Sequence, residues 1–473
     1  MYINGSWIKD RPDFIVTNPA TGETIGRVPD CTDQDIEAAI ASADQAFRAW
    51  RKTTAYERSQ LLYRAWELMI RQKRSLAELM TREQGKPLKA SLNEVQYGAD
   101  FLLWFAEEAK RMYGQIIPSA RENQRFLVQK SPVGVVGAIT PWNYPISMIT
   151  RKLAPALAAG CTVVLKPAES TPLCAAAMIE IFEEAGFPPG VTNLITIENP
   201  ARVGEAFCTD PRVRKLTFTG STPVGKMLNG LAAANMKRVS MELGGHAPAI
   251  VFPDADPVHA AKGLSLVKFL NTGQACISPN RIFVHEDHAK PFIKELSNRA
   301  SRLVAGNGMS DGVGIGPLIN EAAIQKVDDQ VQDALARGAK AETGGHRLTD
   351  NGLSGGHFYA PTVLSGVTAD MKIYREETFG PVAPVITYRS EDDVIAMAND
   401  TDYGLAAYIY SNNLATAMRA FEALDFGIIG INDINPTSAA APFGGMKNSG
   451  LGREGAKEGI EEYLETKLGG FAI

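Results

Sequence analysis

The sequence predicts an α/β fold made of two consecutive units, each built on a parallel sheet. The length of 473 residues exceeds what one core usually accommodates, so two or three domains are expected. From residue 133, and again from residue 249, short apolar runs alternate with helical segments. That alternation is typical of parallel strands joined by right-handed crossovers.

The opening third is predicted to be mostly helical. A first helix spans residues 32–51, where Thr32 and Asp35 form a capping box and apolar residues recur at helical spacing. A second helix covers about 55–83 and stops at Gly85-Lys86-Pro87, and a third covers about 92–112 and ends before Gly114. The alternation with strands begins only after this region.

The strands of the two units are short and mostly apolar. In the first unit they are predicted at 133–139, 163–165, 194–197 and 216–218, with helices up to 159, at 175–185 and from about 223. In the second unit they are predicted at 249–252, around 363, and at 385–388, 407–410 and 428–431. Two further strands, 125–130 and 463–473, have no helix to cover them. We expect them to form an arm whose sheet a neighbouring subunit completes.

Composition and charge exclude several classes of protein. The net charge of −5 and the absence of a Lys/Arg run argue against a nucleic-acid partner. The N-terminus lacks the basic and apolar regions of a signal peptide, and no apolar stretch is long enough to cross a bilayer. Five cysteines without a C-x-x-C pair and six histidines without ligand spacing predict neither disulfides nor a metal. We therefore expect a cytosolic protein without a membrane partner.

A candidate phosphate-binding loop follows the strand at 216–218. Gly220 allows close backbone approach, Pro223 suits a first helical turn, and the free N–H groups of that turn can bind a pyrophosphate. Taken alone, such a turn is more often a plain strand-to-helix connection. The dinucleotide pattern Gly450-Leu451-Gly452-Arg453-Glu454-Gly455 has no strand before it and is interpreted as a chance match.

Lys166 and Glu169 follow the strand at 163–165. A carboxylate at this place can accept hydrogen bonds from an adenosine ribose, and a lysine can bind the hydroxyls beside it. The alternative is a solvated loop, which Lys166-Pro167-Ala168-Glu169 on its own would favour.

Cys276 lies on a predicted turn after an apolar helix, in Asn271-Thr272-Gly273-Gln274-Ala275-Cys276. A structural cysteine usually lies inside a strand or helix, whereas a nucleophile is favoured on an exposed turn near backbone N–H groups. Glu242 ends a strand, from which its carboxylate can reach a thiol or a water. A solvated carboxylate and a small core thiol are the alternatives.

Taken together and in order, these motifs resemble those of the aldehyde dehydrogenase superfamily over essentially the whole chain. The matching segments are 139–145, the Lys166 and Gly220 loops, Glu242-Leu243-Gly244-Gly245, Gly273-Gln274-Ala275-Cys276, Glu376-Glu377-Thr378-Phe379-Gly380-Pro381 and Pro442-Phe443-Gly444-Gly445. The resemblance implies a Rossmann-like NAD-binding domain (1–118 and 138–242) and a second α/β, catalytic domain (243–430). It also implies a small β oligomerisation arm (119–137 and 457–473), a returning segment near the active site (431–456), and a homo-oligomer, either dimer or tetramer.

The resemblance also implies roles for individual residues. Catalysis is assigned to Cys276 as the nucleophile, Asn143 as the oxyanion donor with the Cys276 N–H, Glu242 as the base and Glu454 as a proton relay. The cofactor, NAD with NADP possible, is expected to contact Trp142, Lys166, Glu169, Gly220, Ser221, Gly225, Glu376 and Phe379. This agrees with the chemistry, because an aldehyde cannot release hydride until a nucleophile has made it tetrahedral, and a thiol must first be deprotonated.

Within the superfamily, several segments look like those of succinate-semialdehyde dehydrogenases. Arg151 matches an arginine that binds the substrate carboxylate in that branch, and it lies eight residues after Asn143, about two turns along if one helix contains both. Leu270 replaces a second arginine of that branch, and Ser278 replaces a cysteine. Thr437 and Ser438 are candidate neutral donors. The expected substrate is a short aldehyde with a terminal carboxylate, sulfonate or related anion.

Two alternatives stay open. The first is an enzyme that passes the acyl group from Cys276 to coenzyme A, although Glu242 favours transfer to water. The second is a non-catalytic nucleotide-binding protein on the same fold, which Asn143, Glu242 and Cys276 together argue against. If Arg151 does not bind the substrate, it is expected to be a surface residue of a helix.

Overall fold

A computed structural model describes residues 1–473, and it confirms the two predicted α/β units. The first part of the chain contains β1 (Tyr2–Ile3), β2 (Ser6–Trp7), β3 (Asp13–Thr17), β4 (Thr24–Pro29), α1 (Asp33–Trp50), α2 (Ala55–Arg71), α3 (Lys73–Gln84) and α4 (Leu88–Glu108). It continues with β5 (Gln115–Ile117), β6 (Gln124–Pro132), β7 (Val135–Ile139), α5 (Ser147–Ala159), β8 (Thr162–Lys166), α6 (Pro172–Ala185), β9 (Thr192–Leu194), α7 (Ala201–Thr209), β10 (Val213–Thr219), α8 (Thr222–Ala233) and β11 (Arg238–Glu242).

The second part of the chain begins a new sheet. It contains β12 (Pro248–Val251), α9 (Pro257–Phe269), β13 (Arg281–His285), α10 (Ala289–Ala300), α11 (Glu321–Ala336), β14 (Lys340–Thr343), β15 (Arg347–Leu348), β16 (Phe358–Tyr359), β17 (Thr362–Ser365), α12 (Lys372–Arg375) and β18 (Val382–Tyr388). The last elements are α13 (Glu391–Asn399), β19 (Ala406–Tyr410), α14 (Leu414–Ala423), β20 (Ile428–Ile431), β21 (Gly450–Leu451), α15 (Ala456–Glu461) and β22 (Leu464–Ala472).

The predicted helices of the opening third are present, with two differences. The capping box of α1 is confirmed, because Thr32 accepts from the Asp35 N–H and the Asp35 side chain accepts from the Thr32 N–H. The single helix predicted at 55–83 was wrong: Gln72 leaves helical geometry and divides it into α2 and α3. α4 begins at Leu88 rather than Leu92, directly after Pro87. Short strands also precede α1, where none was predicted.

The eight-stranded sheet has the order β2-β1-β9-β8-β7-β10-β11-β21, and its five central strands are parallel. The chain goes outward from β7 to β8 and β9, then crosses to the other side for β10 and β11. The direction of winding therefore reverses between β7 and β10, and ligands of such sheets bind beside the carboxyl ends at this reversal. Ile139 and Thr219 are the residues that end these two strands.

The seven-stranded sheet has the order β14-β17-β18-β13-β12-β19-β20, with only β14 antiparallel to its neighbour. Its interior strands are almost entirely buried, as a parallel sheet covered by helices on both faces requires. The loop between α9 and β13 carries Cys276 towards the first sheet.

A three-stranded antiparallel sheet, β22-β6-β5, projects as the predicted arm. The strands predicted at 125–130 and 463–473 pair with each other, from Leu464 opposite Pro132 to Ala472 opposite Gln124. The predicted arm range 119–137 differs from this sheet, since it omits β5 and includes the start of β7. No helix is both long enough and apolar enough to cross a membrane.

Candidate active site

A cavity of about 300 Å³ lies where the carboxyl ends of β7, β10 and β11 face loops of the second domain. Its lining includes Trp142, Asn143, Thr219, Gly220, Ser221, Cys276, Glu377, Thr378 and Phe379. We call the part around Cys276 and Asn143 the thiol end, and the part around residues 219–221 the loop end. The structure thus brings together predicted residues that are up to 237 positions apart, from Trp142 to Phe379.

Cys276 lies on a tight turn, as predicted. The turn is closed by a hydrogen bond from the Ser278 N–H to the Ala275 carbonyl (3.0 Å). Just before it, Thr272 adopts a left-handed backbone conformation (φ 59°) that is unusual for a β-branched residue. Gly273 is also left-handed (φ 73°), and a Cβ there would strike a neighbouring backbone carbonyl. The strained backbone directs the thiol into the cavity.

Two N–H donors lie beside the thiol. Asn143 Nδ2 donates to the Gln274 carbonyl (2.9 Å), two residues before Cys276, and an amide nitrogen has a second hydrogen to give. The backbone N–H of Cys276 donates no hydrogen bond to another residue. An oxygen anion that forms on a carbon bonded to the thiol would therefore find donors from two different loops.

Asn143 lies outside α5, contrary to the prediction of a helix that starts directly after β7. Residues 140–146 form bends and turns, and the helix begins at Ser147. The two-turn relation between Asn143 and Arg151 is therefore wrong. Arg151 still lies near the thiol, since its positive charge lowers the pKa of Cys276, although burial is the larger effect and raises that pKa to about 12.

Glu242 ends β11 within the protein interior. Both of its carboxyl oxygens are buried without a hydrogen-bond partner. Burial, reinforced by the negative charge of Glu454, raises the pKa of Glu242 well above its ordinary value. Gly450 pairs with Glu242 in the sheet, and a Cβ on Gly450 would strike the Met241 carbonyl. A glycine of the chance dinucleotide match thus allows β21 to pack on the strand that carries Glu242.

Glu454 is held between two buried cations. Arg151 Nη2 lies 2.7 Å from one of its oxygens, and Lys152 Nζ lies 2.5 Å from the other. Although burial acts to raise the pKa of Glu454, the charges of Lys152 and Arg151 hold it below its ordinary value. Burial lowers the pKa of Lys152, and Glu454 opposes this. Glu454 is thus a carboxylate beside Glu242, whose carboxyl favours the neutral form.

Arg151 is fully buried rather than a surface residue. Its guanidinium lies 3.9 Å from the ring centroid of Phe443, and its buried Nε has no hydrogen-bond partner. Although Glu454 neutralises its charge, Arg151 therefore keeps unused donors for a planar anion.

The loop end combines a helix start with unpaired hydroxyls. Ser221 is the N-cap of α8 and its side chain makes no capping hydrogen bond, so the first N–H groups of the helix are open. Thr219 Oγ1 and Thr378 Oγ1 are buried beside the cavity without partners. Gly220 leaves room for the Phe218 ring, and Gly225 lets α8 pack against Leu243. These donors fit the pyrophosphate of a dinucleotide.

Two other pairs of predicted cofactor contacts have different surroundings. Trp142 and Phe379 meet edge to face across the cavity, with ring centroids 5.6 Å apart, and Phe379 has a left-handed backbone (φ 56°). Lys166 and Glu169 form an ion pair at the carboxyl end of β8. Burial lowers the pKa of Lys166, and Glu169 opposes this effect. The pair lies on the edge where the sheet topology predicts a nucleotide.

Of two adjacent glutamates, Glu377 lines the cavity and the predicted Glu376 lies outside it. Glu376 is exposed and accepts from Gln330 Nε2 (3.2 Å), outside the cavity. Glu377 lines the cavity and accepts from the Gly245 N–H (2.9 Å), and burial raises its pKa. The backbone is extended at Glu376, so adjacent side chains point to opposite sides.

The predicted substrate contacts lie in three different environments. Leu270 starts the turn that leads to Cys276 and is 44% exposed. Ser278 is buried, and its hydroxyl donates to the Lys268 carbonyl (3.4 Å). Ser438 is exposed, whereas the half-buried Thr437 lies in the loop before Pro442. Ser278 is thus committed to the protein itself, whereas the other three keep exposed surface.

Lys152 and Glu377 are site residues that the sequence reasoning missed. Lys152 follows Arg151 in a helix in which every residue is buried, so its charge required a buried partner. That requirement was the available signal, but Glu454 lies 302 residues away. No local pattern links the two.

Known proteins resemble this chain over nearly its whole length. The model described as "Aldehyde dehydrogenase family" matches residues 7–468. The chain is 50% identical over 467 residues to a mitochondrial succinate-semialdehyde dehydrogenase of Arabidopsis thaliana, covering 98% of this chain and 88% of that protein. It is 48% identical over 474 residues to a 3-sulfolactaldehyde dehydrogenase of Pseudomonas putida, covering 99% and 96%.

A solved structure shows the same fold. The crystal structure of an E. coli NADP-dependent enzyme superposes with a TM-score of 0.97 at 47% identity, covering 100% of this chain and 98% of that one. Sequence and structure agree over nearly the whole length, and the cavity is lined by the Cys276 thiol and the Asn143 amide that the motifs predicted. The chain therefore belongs to the aldehyde dehydrogenase family.

Proposed function

We propose that this protein oxidises a short aldehyde with a terminal anion to the corresponding acid, using NAD or NADP as electron acceptor. The observation that carries the proposal is the thiol end. There, Cys276 faces the cavity beside the Asn143 amide, and the buried Arg151 and Glu242 both act on its pKa. The succinate-semialdehyde and 3-sulfolactaldehyde dehydrogenases named above both act on aldehydes of this class.

The loop end would hold the dinucleotide. The open N–H groups of α8 and the Ser221 hydroxyl suit its pyrophosphate, and the Lys166–Glu169 pair suits the adenosine ribose. Phe379 and Glu377 would contact the nicotinamide riboside. The bound nicotinamide supplies the two-electron acceptor for the oxidation.

The thiolate of Cys276 adds to the aldehyde carbon, and the carbonyl oxygen becomes an anion. Asn143 Nδ2 and the Cys276 N–H stabilise that anion, which is worth on the order of 3 kcal/mol per donor in comparable sites. The high pKa of Cys276 means that the thiol needs a base. Of Glu242 and Glu454, only Glu242 has a raised pKa and is thus suited to take up the proton.

After oxidation the acyl group is a thioester on Cys276, and water must release it. Glu242 is suited to remove a proton from that water, because a carboxyl with a raised pKa is a stronger base than an ordinary one. Lys152 and Arg151 keep Glu454 charged, so Glu454 can pass the proton onward. A built-in base for water favours hydrolysis over transfer to coenzyme A.

Arg151 would bind the far end of the substrate. The ion pair with Glu454 occupies part of its guanidinium, and the remaining donors suit a carboxylate or sulfonate. Thr437 would add a neutral donor, because its hydroxyl lies near the buried Tyr97 and lowers the pKa of that phenol, and the charges of Arg151 and Cys276 act on the same pKa. Leu270 leaves this anion without a second arginine.

A panel of aldehydes tests the proposal. The rate of nucleotide reduction would be measured with succinate semialdehyde, a sulfonated aldehyde and an uncharged aldehyde of matched length. We expect kcat/KM to be about ten- to a hundredfold higher for the anionic aldehydes, because a charge-assisted hydrogen bond is worth about 1.5 to 3 kcal/mol. Equal values would contradict the anionic-substrate proposal, and no oxidation of any aldehyde would contradict the enzymatic one.

We also propose a cytosolic homo-oligomer, a dimer or tetramer assembled through the arm. Ile116, Leu468 and Phe471 are half or more exposed on the arm sheet, and β22 is an edge strand with open backbone groups. A free thiol nucleophile suits a reducing compartment. A chain truncated after Tyr463 should sediment as a smaller species than the full chain, and a monomeric full chain would contradict the assembly.

A further inference from the structure

A buried ion pair between Lys86 and Glu94 contacts the loop that carries Asn143. Lys86 follows α3, Glu94 lies in α4, and both side chains are about 1% exposed. Lys86 Nζ also donates to the Asn143 carbonyl (2.7 Å) and lies 4.1 Å from the ring centroid of Tyr144. The contacts of this ammonium group therefore lie on Glu94 and on the Asn143 loop.

Glu94 holds the other end of the same loop. Its second oxygen accepts from the N–H groups of Ile146 (3.1 Å) and Ser147 (3.2 Å), at the start of α5. No side chain of α5 itself caps this helix start. Lys86 and Glu94 together fix the irregular segment 143–147 at both of its ends.

The backbone of Lys86 is itself fixed against the second domain. Gly85 ends α3 in a left-handed conformation (φ 95°). A Cβ on Gly308 would strike the Lys86 carbonyl, and the Gly308 carbonyl accepts from the Leu88 N–H (2.9 Å). The backbone that carries the ammonium group is therefore held by contacts with the second domain.

Asn143 is held through both its backbone carbonyl and its side-chain amide. Lys86 and Asn271 donate to its backbone carbonyl (2.7 and 2.9 Å), while its side-chain amide donates to the Gln274 carbonyl (2.9 Å). Removing the lysine would leave the carbonyl held by Asn271 alone, so the side-chain amide would lose part of what fixes its position beside Cys276. A misplacement of about 1 Å in an active site can cost on the order of a hundredfold in rate.

We propose that Lys86 is a positioning residue that, together with Glu94, sets the Asn143 amide for the oxyanion. Packing alone does not require this pair, because apolar residues of similar volume are often as stabilising as a buried ion pair. The inference rests on the proposed function, since it assigns to Lys86 an effect on the reaction that passes only through Asn143.

The first test compares Lys86→Met with Lys73→Met. Lys73 is the matched control, because it also joins α3 to α4, through Gln96 Oε1 (2.9 Å), but does not contact the Asn143 loop. We expect Lys86→Met to lower kcat about ten- to a hundredfold with the KM for the nucleotide changed less than about twofold. Lys73→Met should retain the wild-type kcat. A wild-type kcat in Lys86→Met would overturn the inference.

The second test asks whether Lys86 acts through Asn143. In an Asn143→Ala background, adding Lys86→Met should cause no further loss of kcat, whereas an independent structural defect would lower it again by the full factor. Glu94→Gln, which keeps the side-chain shape, should show the same pattern and serves as the test if Lys86→Met does not fold. Additive losses would overturn the inference. Failure of the wild type to oxidise any aldehyde would instead refute the proposed function.

Discussion

The thiol end and the loop end of the cavity are built from different kinds of contact. Beside the thiol end, a few fully buried charges compensate one another, with Glu454 between Arg151 and Lys152. At the loop end, a ligand would contact open backbone N–H groups, hydroxyls and an aromatic pair together, and Ser221 is exposed. No neighbouring group can replace a buried charge or a nucleophile. When one of several weak contacts is lost, the others still hold the ligand. The effect of a substitution should therefore fall from the thiol end to the loop end.

The largest effect is expected at the thiol itself. Cys276→Ala should abolish aldehyde oxidation and leave nucleotide binding unchanged, because the thiol forms the covalent bond but only borders the nucleotide. Turnover and nucleotide Kd, the latter by calorimetry, would be measured on the same preparation. Measurable turnover, or a loss of nucleotide binding, would break the division between the two ends.

The next largest effect is expected at the oxyanion donor. Asn143→Ala should lower kcat by a factor on the order of a hundred to a thousand, the usual result of removing one such donor. Single-turnover kinetics would establish that the chemical step is the one measured. An unchanged chemical step would remove the oxyanion role from Asn143.

A smaller and selective effect is expected at Arg151. Arg151→Met should lower kcat/KM about ten- to a hundredfold for an anionic aldehyde and leave a matched uncharged aldehyde nearly unaffected. Lys152→Met is the matched control, because it removes the other cation of Glu454 and should lower the rates for both aldehydes alike. Equal losses for both aldehydes in Arg151→Met would mean that Arg151 supports the Glu454 site rather than the substrate.

The smallest effect is expected at the outer part of the loop end. Wild-type protein should prefer NAD to NADP, because Glu169 accepts from a ribose 2′-hydroxyl and repels a 2′-phosphate. Glu169→Ser should lower kcat/KM for NAD about two- to tenfold and so reduce the preference for NAD over NADP. A wild type that favours NADP, as the related E. coli enzyme does by name, would show that Lys166 decides the choice instead.

Much of the fold was predictable because its signals are local. Apolar runs and a capping residue such as Thr32 act within a few positions of the chain. The start of α5 at Ser147 was not predictable, because the group that caps it is Glu94, a residue of another helix. The break at Gln72 likewise has no glycine or proline to announce it. Local rules fail where a distant side chain completes the backbone hydrogen bonds.

The site residues likewise divide into those that the sequence predicted and those that it did not. Residues on turns or at strand ends, such as Cys276 after α9 and Glu242 at the end of β11, were predictable from motifs. The choice between Glu376 and Glu377 was not, because it depends on the backbone direction at that one step. Lys86 was noticed in the sequence only as the end of a helix, since its partners Glu94 and Asn143 become neighbours only in the fold.

The most direct test of the account is to trap the acyl group on the thiol. In Glu242→Gln the water that releases the acid loses its base, so a thioester should accumulate during turnover with nucleotide and succinate semialdehyde. After acid quenching, mass spectrometry should find the Cys276 peptide heavier by the mass of the aldehyde less two hydrogens, and Cys276→Ala should show no such adduct. An adduct on another residue, or an unmodified Cys276 peptide in a Glu242→Gln variant that still reduces one equivalent of nucleotide, would contradict the thioester mechanism.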